Sequence, residues 1–304
     1  MTAGDVLSAA ATAPGVGSHW LGTAAGAGSA LFFAVGAVVE QEATLASTSG
    51  GTLDLRGMVR RPAWIAGMAA NVVGVGLQIL ALALAPVSIV QPLLAGGLVV
   101  ALGIRSVRDR RRPSGRELLG SVLTAGGLAV FLVAARPADV SRDRLPDAPA
   151  VLAIALTALA LVALTARAKQ TVVGALSAGL AAGIAMGIAA VLVSAALTIL
   201  GRDGLLAALS TPSLWGAIVV SIGAQVACQV AFSRGSLSWS LPVLTVADPL
   251  AAVPVALWLL GERLEPGHAH VWGPAAVVAA VGVVLLARSA DAGKGEPRPA
   301  ISTA

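Results

Sequence analysis

Apolar segments recur along the chain, each bounded by charged residues, proline or glycine. Most are near the roughly 20 residues that a helix needs to cross the hydrocarbon core of a bilayer. They lack the alternating pattern of membrane strands and are rich in alanine and leucine, which favours helices. The pattern predicts an all-α, polytopic membrane helix bundle of about nine transmembrane helices. The segments are Trp20–Val39, Ala63–Ala85, Pro86–Ile104, Leu118–Ala135, Pro149–Thr165, Val172–Leu200, Pro212–Phe232, Leu237–Leu260 and Ala269–Ala287.

The charged residues support a membrane protein and give its orientation. They make up 12% of the chain, whereas an ordinary soluble domain carries about 25%. An N-terminus outside the cell would place 15 of the 20 lysines and arginines on the inner side and 5 on the outer side. This bias fits the positive-inside rule and puts the C-terminus inside. Because the basic residues lie in the loops between apolar segments, the net charge of +5 does not indicate a nucleic-acid partner.

The chain also carries a weak internal repeat. A shift of 150 residues places Pro62 on Pro212 and Pro92 on Pro242, and the first four segments correspond to the last four. Equivalent segments are five apart, an odd offset that gives the halves opposite orientations, as in secondary transporters. We therefore predict a transmembrane domain at 20–288, made of repeats at 20–136 and 172–288 around a linker helix at 149–165. Disordered tails are predicted at 1–19 and 289–304.

Two segments resemble a known family. The run LALAPVSIVQPLLAGGLVVAL at Leu82–Leu102 is similar to an element of the NIPA-like magnesium transporters, within the drug/metabolite transporter (DMT) superfamily. The run GSLSWSLPVLTVADPLAAVPVALWLLGERL at Gly235–Leu264 resembles the last helical hairpin of EamA-type members. The usual plan there is ten helices, whereas NIPA-like members look like nine. The resemblance covers about residues 20–288 and implies a multi-pass transporter in the cell (plasma) membrane that does not hydrolyse ATP.

Asp248 is the ionisable residue nearest the middle of a predicted span, where such groups are costly and indicate function. The pair Asp248–Pro249 is typical of a helix cap followed by proline at the first helical position. We therefore expect the eighth helix to be broken or kinked there, as in helices that line transporter sites. A purely structural cap is the alternative.

Other polar residues of the spans complete the candidate substrate or ion site. Glu40 is one of them; it and Glu42 lie at the inner end of the first span, where an inner-gate or ion-entry role competes with simple extension of the side chains to the membrane surface. Amides are the remaining candidates, and interhelical hydrogen bonding is the alternative to a binding role. They are Asn71 and Gln78 on one face of the second span, Gln225 and Gln229 on one face of the seventh, and Gln91 in the third.

Three functions stay open at this stage. The first is a secondary transporter of a small metabolite or drug-like solute, coupled to protons or ions through Asp248. The second is a NIPA-like Mg²⁺ permease with Asp248 as the metal ligand, since Mg²⁺ needs only one or two carboxylates. The third is a membrane scaffold or subunit that transports nothing.

We expect no enzymatic activity and no cofactor, because the chain has no Walker A, HExxH or nucleophile-elbow motif. The expected partners are the solute or Mg²⁺ and membrane lipids. The glycine stripe of Gly179, Gly183 and Gly187 favours close helix packing within the chain, and a homodimer face is the alternative.

Overall fold

The computed structural model describes residues 16–50, 52–84, 87–110, 112–135, 137–138, 146–167, 171–261, 263–264 and 267–292. Ten helices account for nearly all of them, which confirms the predicted all-α class. They are α1 (Val16–Leu45), α2 (Leu55–Met58), α3 (Pro62–Leu84), α4 (Val87–Arg108), α5 (Gly115–Ala134), α6 (Ala148–Thr165), α7 (Val172–Ser210), α8 (Pro212–Arg234), α9 (Leu237–Leu259) and α10 (Ala269–Ala292).

Two short antiparallel ladders join helix ends. Strand β1 (Thr48–Ser49) pairs with β2 (Thr52–Leu53) after α1. Strand β3 (Pro137–Ala138) pairs with β4 (Arg263–Leu264), which ties the chain after α5 to the chain before α10. The sequence predicted neither ladder.

Eight of the described helices are long and apolar enough to cross a membrane, which indicates a multi-pass membrane protein. Nine spans were predicted. The third of them, Pro86–Ile104, corresponds to the 22-residue helix α4, which is not among these eight. Many large apolar side chains point outward, such as Val72 at 66% exposure and Leu152 at 60%. Such faces suit lipid rather than water.

Local chemistry explains where several helices begin. Ser114 and Glu117 form a reciprocal capping box at the start of α5. Side chains of Asp147, Thr171 and Ser236 accept backbone N–H groups at the starts of α6, α7 and α9. These caps satisfy donors that would otherwise lack a partner at the helix ends.

Helix α9 is continuous through Asp248–Pro249, so a break at this pair is wrong, while the predicted alternative of a kink stays a prediction. Prolines 242, 249 and 254 all lie inside the helix. Proline removes a backbone donor without always ending a membrane helix, because neighbouring helices supply compensating contacts. The non-helical residue within a long helix is instead Gly204 of α7, at φ 83°. There glycine adopts a backbone conformation that L side chains rarely reach.

The helices pack as two similar groups. Helix α1 packs on α3 and α4, and α4 packs on α5. In the same order, α7 packs on α8 and α9, and α9 packs on α10, while α6 lies against α7 and α8. The groups meet chiefly where α5 packs along α10, with smaller contacts between α1 and α8 and between α4 and α9.

Small residues allow the closest of these packings. A Cβ atom added at Gly179 would lie 2.9 Å from the backbone oxygen of Ser240, and one at Gly183 would lie 2.7 Å from Cβ of Ala247. The glycine stripe of α7 therefore faces the backbone of α9, so it is used inside the chain. Between the groups, an apolar cluster from α1, α4, α7, α8 and α9 includes Ala34, Phe232 and Leu244. This cluster lies close to the polar residues of the candidate site.

Candidate functional site

Glu40 is a carboxylate buried inside the helix bundle. It lies in α1, five residues before the helix ends at Leu45, and only 1% of the residue is exposed. The side chain therefore does not extend to the membrane surface. Its Oε1 atom accepts a hydrogen bond of 2.6 Å from Nδ2 of Asn71, which lies in α3.

Two amides of α8 bind the other carboxylate oxygen. Nε2 of Gln229 donates to Glu40 Oε2 at 2.7 Å, and Nε2 of Gln225 donates to the same atom at 3.0 Å. The two glutamines are four residues apart, which places both on one face of α8. Glu40 therefore joins α1 and α3 of one helix group to α8 of the other.

Thr44 completes the group and was not predicted from the sequence. Its hydroxyl donates to Oε1 of Gln229 at 2.5 Å and lies 2.7 Å from the backbone oxygen of Glu40. Thr44 is fully buried. The available signal was its position four residues after Glu40, on the same face of α1. We call Glu40, Thr44, Asn71, Gln225 and Gln229 the Glu40 cluster.

Two glycines bring α1 and α3 close enough for the cluster to form. A Cβ atom added at Gly67 would lie 2.7 Å from Cγ of Glu40 and 3.1 Å from the backbone oxygen of Gly36. A Cβ atom at Gly36 would in turn collide with the Asn71 amide. The two helix backbones therefore touch beside Glu40, and any larger residue at these positions would separate them.

No positive charge among the described residues balances the negative charge of Glu40. Glu40 has no ion-pair partner among the described residues, whereas nearby Arg105 pairs with Asp109 and Arg108 pairs with Glu42. Its carboxylate is held by three neutral amides alone. Hydrogen bonds to a charged group are stronger than those between neutral groups, so they offset part of the cost of burying the charge.

A separate polar network lies beside the cluster at this end of α1. Gln41 is buried, and its Nε2 donates to the backbone oxygen of Gly235 at 3.0 Å. Its Oε1 accepts from the guanidinium of Arg105 at 3.3 Å. Glu42 is half-exposed and pairs with Arg108 at 2.7 Å. Glu42 therefore differs from Glu40 in both burial and partner, although the two are only two residues apart in α1.

The structure does not bring the remaining predicted residues into this cluster. Asp248 is partly buried in α9, where its backbone lies against Gly183 and Gly187 of α7. In the described part of the chain, neither the Asp248 side chain nor the Gln78 side chain has a hydrogen-bond partner. Gln91 lies in α4, and its side chain falls outside the described residues.

No group of three or more histidines, cysteines, aspartates or glutamates that could hold a metal occurs among the described residues. Asp248 as a magnesium ligand therefore stays a prediction. The chemistry that the Glu40 cluster offers is different: one carboxylate, three amides and one hydroxyl, gathered where two groups of helices meet.

Comparison with known proteins gives a relative without a described activity. The chain is 26% identical over 280 residues to an uncharacterized protein of Corynebacterium glutamicum. The match covers 89% of this chain and 96% of the relative, so the likeness extends over nearly the full length of both. No family model matches the chain, and no solved structure matches it.

Proposed function

We propose that this protein is a secondary transporter of a small metabolite or drug-like solute, related to the DMT superfamily, and that Glu40 is its essential ion-binding carboxylate. The observation that carries the proposal is the burial of Glu40 between α1, α3 and α8 without a cationic partner among the described residues. Glu40 takes the coupling role for which the sequence favoured Asp248.

The cost of a buried carboxylate favours function over simple packing. On insertion scales a charged carboxylate costs roughly 2.5–3.5 kcal/mol at the centre of a membrane helix and less toward its end, where Glu40 lies, but burial between helices also removes the water that would solvate its charge. Three amide donors recover part of this cost, but apolar packing of the same volume would hold three helices together without it. A residue whose charge is used during transport explains why a carboxylate occupies this position.

The packing order of the helices supports two repeats. The contacts α1–α3, α1–α4 and α4–α5 recur as α7–α8, α7–α9 and α9–α10. This agrees with the proposed halves at 20–136 and 172–288, with α6 as the linker. Inverted halves with a polar site between them are typical of secondary transporters, which alternate access by moving one half against the other. Glu40 lies between the proposed halves.

The loop charges complete the proposal. They favour an N-terminus outside and a C-terminus inside, in the cell membrane. Glu40 then lies toward the cytoplasmic end of α1, about 7.5 Å from the end of that helix at 1.5 Å per residue. A solute that reaches Glu40 from the cytoplasm would pass the network of Gln41 and Arg105.

The test is transport by the purified full chain in proteoliposomes. Currents on a solid-supported membrane are recorded with amino acids, nucleosides and the organic cation ethidium as probes. We expect at least one class to be transported, and Glu40→Gln to lose at least about 90% of that transport, since the charge that is used in the cycle has gone.

Glu42→Gln is the matched control, because it removes an exposed carboxylate whose ion pair is worth only about 0–1 kcal/mol. It should keep wild-type transport. Equal transport by the Glu40→Gln and Glu42→Gln variants would refute the role of Glu40. A folded wild-type protein that moves none of the probes would count against transport itself.

A further inference from the structure

The Glu40 cluster contains more oxygen atoms than its present hydrogen bonds use. Glu40 supplies two carboxylate oxygens, and Asn71, Gln225, Gln229 and Thr44 supply one side-chain oxygen each. All of these residues are linked by hydrogen bonds of 2.5–3.0 Å. Three of the oxygens belong to amides whose nitrogens now point at Glu40. Rotation of an amide about its last bond exchanges nitrogen for oxygen at nearly unchanged volume.

After such rotation the cluster would present six oxygens to its centre. Carboxylate, amide and hydroxyl oxygens are the ligands of hard cations, which commonly take about six of them. Two of the ligand pairs lie on single helices at a spacing of four residues, Glu40 with Thr44 and Gln225 with Gln229. That spacing holds both members of a pair on one face without a loop having to close.

The charge of the cluster selects the valence of the cation. It holds one carboxylate and four neutral groups, and Glu40 has no ion-pair partner among the described residues. A monovalent cation would make the site neutral. A divalent cation would leave one uncompensated positive charge inside the bundle, where desolvation of an unpaired charge is expensive.

We infer that the Glu40 cluster binds a monovalent alkali-metal cation, which serves as the coupling ion of the transporter. The inference rests on the proposed function. When the ion is absent, amides of α3 and α8 donate directly to Glu40, as in this structure. When the ion is bound, the same amides contact the ion instead of Glu40. Ion binding therefore replaces direct hydrogen bonds between the two helix groups by contacts through the ion. A ligand that binds two arrangements unequally shifts the balance between them.

The test measures binding separately from transport. The melting temperature of the purified full chain is recorded in NaCl, KCl, MgCl₂ and choline chloride at equal ionic strength. Binding to the folded state alone raises stability by mass action, so NaCl or KCl should raise the melting temperature by at least about 3 °C over choline chloride. The rise should persist in the Glu42→Gln variant and vanish in Glu40→Gln.

A second variant tests the charge argument and is informative even if Glu40→Gln fails to fold. Gln225→Glu keeps the shape of the side chain and adds a second carboxylate to the cluster. We expect the preference to change, so that MgCl₂ now stabilises more than NaCl or KCl. An unchanged preference in Gln225→Glu would overturn the argument from charge.

The remaining outcomes separate the two proposals. Equal melting temperatures in all four salts, or stabilisation of the wild-type protein by MgCl₂ alone, would overturn the alkali-cation site. Transport that depends on Glu40 would still stand in that case, with another coupling ion. Conversely, stabilisation by Na⁺ or K⁺ in a protein that transports no probe would support the site and contradict the proposed function.

Discussion

Replacement of Gly67 by alanine tests whether the close approach of α1 and α3 builds the Glu40 cluster. The new Cβ atom would lie 2.7 Å from Cγ of Glu40, 3.1 Å from its backbone nitrogen and 3.1 Å from the backbone oxygen of Gly36. Ordinary carbon contacts are about 3.5 Å or longer. The two backbones must therefore separate by about 0.4 Å, and the Glu40 side chain must move by about 0.8 Å.

Glu40 has little freedom to make that movement. Three hydrogen bonds of 2.6–3.0 Å hold its carboxylate to α3 and α8. Overpacking at a close contact of this kind costs about 1–3 kcal/mol. We expect Gly67→Ala to be destabilised by that amount and to lose transport and cation-dependent stabilisation together, because the cluster is displaced.

Gly76→Ala is the control within the same helix. Gly76 is exposed, and a Cβ atom there would have nothing within 4 Å. Alanine is at least as good a helix former as glycine, so this variant should be as stable as wild type or slightly more stable. The assay is thermal unfolding of the purified proteins in detergent, with transport measured in parallel. If Gly67→Ala proves as stable and active as Gly76→Ala, the helix contact does not hold the cluster.

Three further predictions follow from the geometry and the loop charges. Thr44→Val removes the hydroxyl that donates to Gln229 Oε1 and should cost about 1–3 kcal/mol of stability. Its control is Thr157→Val, which removes an exposed hydroxyl bonded within its own helix and should cost less than about 0.5 kcal/mol. Equal melting temperatures of the two variants would argue against the role of the Thr44 hydroxyl. Asp248→Asn removes a charge that makes no hydrogen bond among the described residues, so the melting temperature of this variant should not fall. Full transport by the variant would show that Asp248 is not part of the transport pathway. In a Cys228→Ala background, His270→Cys should react with an impermeant thiol reagent from outside and Arg112→Cys only after the membrane is opened; the reverse labelling would contradict the N-outside orientation.

The sequence by itself determined the class of the protein and most helix positions. Segments of about 20 apolar residues have one stable form in a bilayer, because the backbone must satisfy its hydrogen bonds within the segment. Hence the observed bounds of α6, Ala148–Thr165, and of α8, Pro212–Arg234, lie within two residues of the predicted Pro149–Thr165 and Pro212–Phe232. The continuity of α9 was not predictable in this way. A proline inside a helix costs a hydrogen bond, and whether the helix survives depends on its neighbours.

Only the tertiary structure decided which of the candidate polar residues meet. The periodicity of α8 placed Gln225 and Gln229 on one face, but no local pattern says which helix that face contacts. The contact depends on the crossing of α1 and α3 at Gly36 and Gly67, which places Asn71 against Glu40. Asp248 was the stronger candidate in sequence, because a charge near the middle of a span has the highest cost when its partners are unknown. Glu40 is the centre of the site because it is buried and accepts hydrogen bonds from three amides. Both properties arise only when the helices pack, so the position of Glu40 along α1 does not reveal them.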